Sequence, residues 1–195
     1  MTQLLDLIQT RRSIRRYTAA PIPPAVLERL LTAAAWAPSA HNRQPWRFAV
    51  IQSDSIKSEL ASAMGARLRA DRLADGDPPA AVQADAARSQ ARLTSSPVSI
   101  VVCLSMADMD HYSDPGRSQA EYLMAAQSTA MAVQNLLLAA QAEGLGACWM
   151  CAPLFCGDAV KAALDLPADW DPQALVTLGY PADGGKPPPA NRWIL

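Results

Sequence analysis

Residues 117–143 read RSQAEYLMAAQSTAMAVQNLLLAAQAE, a stretch of about 27 residues without proline or glycine that is closed by Gly144. Ala, Leu, Met and Gln are good helix formers, and a glycine just past the last of them is a common helix stop. A helix of this length extends about 40 Å. That is more than the rest of a 195-residue chain can cover on every side. Its apolar residues run nearly all round between Met131 and Ala140, which requires cover from more than one layer. The sequence therefore predicts a long helix shared with a second copy of the chain.

Shorter elements surround it. Residues 46–51, 97–104, 147–151 and 174–180 have the β-branched, aromatic or continuous apolar character of strands. Helices are predicted over residues 3–9 with Thr2 as cap, from Pro24 until Pro38 stops the chain, over 53–69, over 78–92, and near 158–164. The two middle helices, parted by Asp75-Gly76-Asp77 and studded with Ala, Arg and Asp, read as a surface lid. A Pro-rich extension to Leu195 has no period of its own before Trp193. Helices outweigh strands, so the layers imply an α+β fold in which helices flank one central mixed sheet, with residues 1–195 as one domain.

Composition excludes several classes of function. Half of the residues are hydrophobic, the formal net charge is −1, and like charges form no block, so nucleic acid is not an expected partner. The opening MTQLLDLIQTRRS is broken by Asp6 and Gln9 and followed by arginines, the reverse of a secretory leader. No uninterrupted apolar run approaches the roughly 18 residues of a membrane helix. A cytoplasmic protein with no membrane partner is expected. Cys148, Cys151 and Cys156 make a C-x2-C-x4-C cluster, yet His41 and His111 lie far from it in sequence, so a four-ligand zinc site is disfavoured. These cysteines, with Cys103, read as small core hydrophobes, and no metal is expected.

Two stretches could carry chemistry. Arg11-Arg12-Ser13-Ile14-Arg15 gathers guanidinium groups and a hydroxyl, which suit a phosphate and a sugar or ring carbonyl; the same cations would also suit a helix C-terminus. The loop Pro38-Ser39-Ala40-His41-Asn42-Arg43-Gln44-Pro45-Trp46 offers the donors and acceptors needed to read the edge of a heterocycle, or is an ordinary polar connection. Gly144-Leu145-Gly146 lies between helix and strand, the wrong order for a dinucleotide fingerprint. No G-x-S-x-G or H-E-x-x-H occurs.

Taken together, T-R-R-S-I-R-R-Y and A-P-S-A-H-N-R-Q-P-W-R-F, with their spacing, resemble the opening of nitroreductase-family flavoproteins. The later E-Y-L-M-A-A-Q-S-T-A-M-A-V-Q-N-L-L-L-A-A-Q-A-E-G-L-G-A-C-W, L-F-C, L-D-L-P-A-D-W and L-G-Y-P resemble more narrowly the flavin domain fused to the γ-glutamyl ligase of deazaflavin-coenzyme biosynthesis. The resemblance implies an interlocked homodimer with FMN held at the interface and the long helix within it. It implies that Arg11 and Ser13, with Arg12 between them, contact phosphate and ribityl or ring, and that Arg15 lies near the pyrimidine edge. Ser39, Ala40, Asn42 and Gln44 would approach the same flavin from the other subunit. Trp149, Met150 and Cys151 would line the ring face, and Arg192, with Lys186 second, would reach the phosphate from the tail. The implied activity is NAD(P)H-dependent oxidoreduction through FMN toward a small planar electron acceptor, with no catalytic protein nucleophile. A deazaflavin-precursor reductase and a flavin-holding dimer without turnover are the alternatives.

Overall fold

The computed structural model describes residues 3–182, so Thr2, Lys186 and Arg192 lie outside the described residues. The chain runs α1 (Gln3–Thr10), α2 (Pro24–Ala35), β1 (Trp46–Ile51), α3 (Asp54–Ala74), α4 (Pro79–Thr94), β2 (Val98–Ser105), α5 (Pro115–Ala142), β3 (Gly146–Met150), α6 (Gly157–Leu164) and β4 (Trp170–Gly179). Prolines open α2, α4 and α5, where a missing N–H costs nothing. The Asp114 carboxylate caps α5 by accepting from the Arg117 N–H at 2.7 Å. β4 starts earlier than the sequence suggests because Pro172 hides its first residues. That proline sits beside a bulge, where the register slips between Val102 and Cys103.

The sheet has the order β1-β2-β4-β3, and each neighbouring pair is antiparallel. This corrects the expectation of a mixed sheet. The α3–α4 hairpin returns the chain antiparallel to β1. The crossover through α5 does leave β2 and β3 pointing the same way, but β4 inserts between them and makes both contacts antiparallel. The only parallel pairing among the described residues is a single bridge, Ser13 to Ala147, on the outer side of β3.

Alternation along the strands loads both faces. On one face Ile100, Val102, Val176 and Leu178 pack with Leu30 of α2 and Val133 and Leu136 of α5. On the other, Val101, Cys103 and Leu175 pack with Leu60 and Met64 of α3, Leu93 of α4 and Val160 of α6. The middle helices are thus a covering layer of the core, not a surface lid. Their internal seam holds Val82 and Ala86, both buried. α5 is buried along one side, while Leu123 and Met131 stay exposed, so its apolar circumference is only part covered within one chain.

The segment after α1 is stitched to the β3 side of the sheet. The Ile14 N–H donates to the Ala147 carbonyl at 3.0 Å and the Thr18 N–H to the Tyr180 carbonyl at 2.8 Å. Two glycines permit the approach: a β-carbon on Gly146 would stand 2.6 Å from Ile14 Cβ, and one on Gly179 would stand 2.8 Å from Tyr17 Cβ. The Tyr17 hydroxyl donates to the Ile14 carbonyl at 2.6 Å and lies 2.8 Å from the Thr177 hydroxyl. Burial drives the Tyr17 phenol well above its ordinary pKa.

Candidate functional site

The stitch brings the first motif and the end of β3 onto one sheet edge. Arg11 is half-buried, and its guanidinium has no hydrogen-bond or ion-pair partner among the described residues. Arg12 is engaged differently: Nη1 donates to the carbonyls of Gln9 at 2.8 Å and Arg11 at 2.6 Å, closing the end of α1. Of the two readings of the cluster, Arg12 therefore follows the helix-end one. Ser13 is exposed, and Arg15 donates to the Ser13 carbonyl at 3.4 Å and to the Cys148 side chain. Cys148 records the charge at this edge. Burial pushes its thiol pKa up, and the nearby positive charges of Arg15, Arg92 and Arg11 oppose that shift.

Arg92, near the end of α4, is the residue that sequence reasoning missed. It lies in a segment read as a lid, and the fold brings its positive charge within electrostatic range of the Cys148 thiol. Trp149, Met150 and Cys151 do not share one face. Trp149 packs toward the α2–α5 side and Met150 toward the α3–α6 side. Cys151 is exposed and accepts from the Trp149 indole N–H at 3.1 Å. It departs from the expectation of a core cysteine, which Cys103, Cys148 and Cys156 meet.

The second motif is strained. His41, Asn42 and Gln44 have φ of 50°, 55° and 51°, and among the described residues only Asp165 joins them as a non-glycine with positive φ. Asn tolerates this conformation, whereas His and Gln pay on the order of 1–3 kcal/mol each. The loop closes on itself through the Gln44 N–H, which donates to Ser39 Oγ at 3.0 Å. It is anchored to α5 where the Ala40 N–H donates to Ser128 Oγ at 3.3 Å.

One chain does not bring the two motifs together. Ser13 lies beyond β3 at one edge, level with Ala147, Leu178 and Val98. The loop feeds β1 at the other edge, level with Leu104. Four strand spacings, about 19 Å, and six residues along β2, about 20 Å, separate these corners. That diagonal exceeds the reach of the side chains at either end.

The unpaired Arg11 guanidinium, with Arg12, Arg15 and the exposed Ser13 hydroxyl beside it, stands at one corner, and a loop of amide and backbone groups stands at the other. The Nitroreductase family model matches residues 8–180, and the chain belongs to that family. It is similar to an NADH dehydrogenase of Thermus thermophilus, 31% identical over 95% of this chain and 91% of that protein. It is also similar to a 5,6-dimethylbenzimidazole synthase of Rhodobacter capsulatus, 32% identical over 91% of this chain and 83% of that one. Among solved structures it resembles a nitroreductase-type protein of Desulfovibrio desulfuricans in complex with FMN, with a TM-score of 0.74 and 28% identity over 100% of this chain and 94% of that one.

Proposed function

We propose that the chain is an FMN-dependent oxidoreductase that moves hydride from NAD(P)H to a small planar electron acceptor, working as a homodimer with two composite sites. The observation that carries this reading is the diagonal placement of the two half-sites, which a second copy can bring together and one chain cannot. The exposed apolar residues Leu4, Leu5 and Ile8 of α1, with Leu123 and Met131 of α5, supply a surface for that second copy.

The residues present fit the cofactor. No carboxylate pairs with Arg11, Arg12 or Arg15 among the described residues, so the corner favours an anion. Arg11 and Ser13 would hold phosphate and ribityl groups, and Arg15 would place positive charge at the pyrimidine edge. Ser39, Ala40, Asn42 and Gln44 would close the site from the partner subunit, with Lys186 and Arg192 of the tail as further phosphate contacts. FMN, when bound, accepts hydride and returns electrons to a second substrate. The protein supplies position and charge, with no nucleophile of its own.

The test is anaerobic mixing of the FMN-loaded protein with NADPH and with NADH, following the flavin absorbance. Bleaching by either donor, and recovery on adding a nitroaromatic or quinone acceptor, supports the reading. A loaded protein that neither donor bleaches is a flavin-holding dimer without turnover, and a protein that takes up no FMN overturns the reading. The motifs from Glu121 onward favour a second acceptor, a deazaflavin-coenzyme precursor, which enters the same acceptor panel.

A further inference from the structure

Three polar residues of α5 stand seven apart, Glu121, Ser128 and Asn135, and so fall on one side of the helix two turns from each other. Each holds backbone of the segments around the strained loop. Asn135 Nδ2 donates to the Ala33 carbonyl at the end of α2, at 3.2 Å. Ser128 Oγ accepts from the Ala40 N–H at the start of the loop, at 3.3 Å. Glu121, only 3% exposed, accepts from the Asp110 N–H at 3.2 Å.

Asp110 passes the restraint on. Its carboxylate accepts from Arg43 Nη2, inside the loop, at 2.6 Å. Arg47, the second residue of β1, fixes the far end: Nη1 donates to the Gln44 carbonyl at 3.1 Å and the Trp46 carbonyl at 3.0 Å, and Nη2 pairs with Asp108 at 3.1 Å. The loop is therefore gripped at its start, middle and end by groups that belong to α5, to β1 and to the 106–110 turn.

We propose that Arg47 and the Glu121–Asp110–Arg43 relay are positioning residues that hold the Ser39–Gln44 loop in its left-handed backbone conformation, so that the flavin bound to the partner meets a preformed half-site. The inference rests on the composite-site reading above. Three left-handed non-glycine residues in four positions, two of them strained, persist only where the surroundings over-determine them. The side chains that do so here are neither the exposed amides that would face the ligand nor part of the hydrophobic core. The α5 residues also make the loop and the proposed dimer helix one mechanical unit.

The experiment compares wild type, Arg47→Met, His41→Gly and the double variant, reading FMN affinity by fluorescence quenching and apoprotein melting temperature in parallel. Arg47→Met is expected to raise the FMN Kd roughly tenfold while the apoprotein melts within a few degrees of wild type. His41→Gly removes the β-carbon at φ 50° and lowers the need for restraint, so the double variant should regain much of the lost affinity. An unchanged Kd in Arg47→Met, or a joint fall in affinity and melting temperature that His41→Gly does not rescue, overturns the positioning role. A wild type that binds no FMN overturns the functional reading and this inference with it, and is thereby distinguished from failure of the brace alone.

Discussion

Ile14 lies directly over Gly146: its Cβ, Cγ2 and Cγ1 would stand 2.6, 2.7 and 3.0 Å from an alanine β-carbon at that position. Contacts this short force a shift, and Ile14 is held in place by its own hydrogen bond to Ala147. Gly146→Ala should therefore push the Arg11–Arg15 segment off the sheet, costing about 1–3 kcal/mol in a urea titration and weakening FMN binding. Ile14→Gly in the same chain, which removes the β-carbon at 2.6 Å as well as both γ-carbons, should recover part of both, since the clash and the relief share one contact. Additive losses would mean that Ile14 is not what the alanine strikes.

Arg11→Ala should weaken FMN binding about tenfold or more, through loss of a charge-assisted contact of roughly 1.5–3 kcal/mol. The apoprotein's stability should hardly change, because the guanidinium has no partner among the described residues. A lowered melting temperature with unaltered affinity would return Arg11 to a purely structural role.

Arg15→Gln should leave FMN bound and lower its two-electron midpoint potential by roughly 20–40 mV. A guanidinium beside the pyrimidine edge stabilises the reduced ring more than the oxidised one. A pairing of Arg15 with Asp6 would have given a structural alternative, but its hydrogen bonds run to the Ser13 carbonyl and the Cys148 side chain. Spectroelectrochemical titration decides, and an unchanged potential removes the tuning role.

Leu123→Glu should yield a monomer by light scattering that no longer retains FMN, because Leu123 is exposed on α5 and, in the proposed dimer, becomes buried. A stable dimer would place the interface elsewhere.

Alkaline stability has a definite sign. Desolvation pushes the fully buried Cys103 thiol up to about 12, with the Asp171 charge adding to the shift. The unfolded thiol ionises from about 9, the ordinary value, so between these limits the unfolded chain binds fewer protons. Stability is then fully present below about 9 and falls as the pH rises toward about 12. Cys103→Ala should flatten that fall in urea midpoints between pH 9 and 11; an unchanged slope would assign it to Tyr17, Cys148 or Cys156, whose values burial also raises.

The elements were legible because their signals are local: Pro24 opening α2, Asp75-Gly76-Asp77 parting α3 from α4, and Gly144 closing α5, whereas the Asp114 cap and Pro115 at the start of α5 were not read from the sequence. Strand order was not, since the insertion of β4 between β2 and β3 depends on contacts far apart in sequence. Arg11, Ser13 and the loop could be singled out from residue type and order. Arg92 could not, because its charge comes within range of Cys148 only through the fold. The positive φ of His41 and Gln44 was equally invisible, as neither residue type announces a left-handed backbone. Glu121 gave no signal either: its role depends on the fold of the 106–110 turn.

The diagonal separation of the two half-sites carries a genetic consequence. If each site takes one corner from each chain, a subunit lacking Arg11 and a subunit with a broken Ser39–Gln44 loop are both inactive as homodimers. Their mixed dimer has one site with both faults and one with neither. With random exchange of subunits, about a quarter of all sites should be intact. Two dead alleles of this chain would then complement each other, whereas two alleles damaged at the same corner would not.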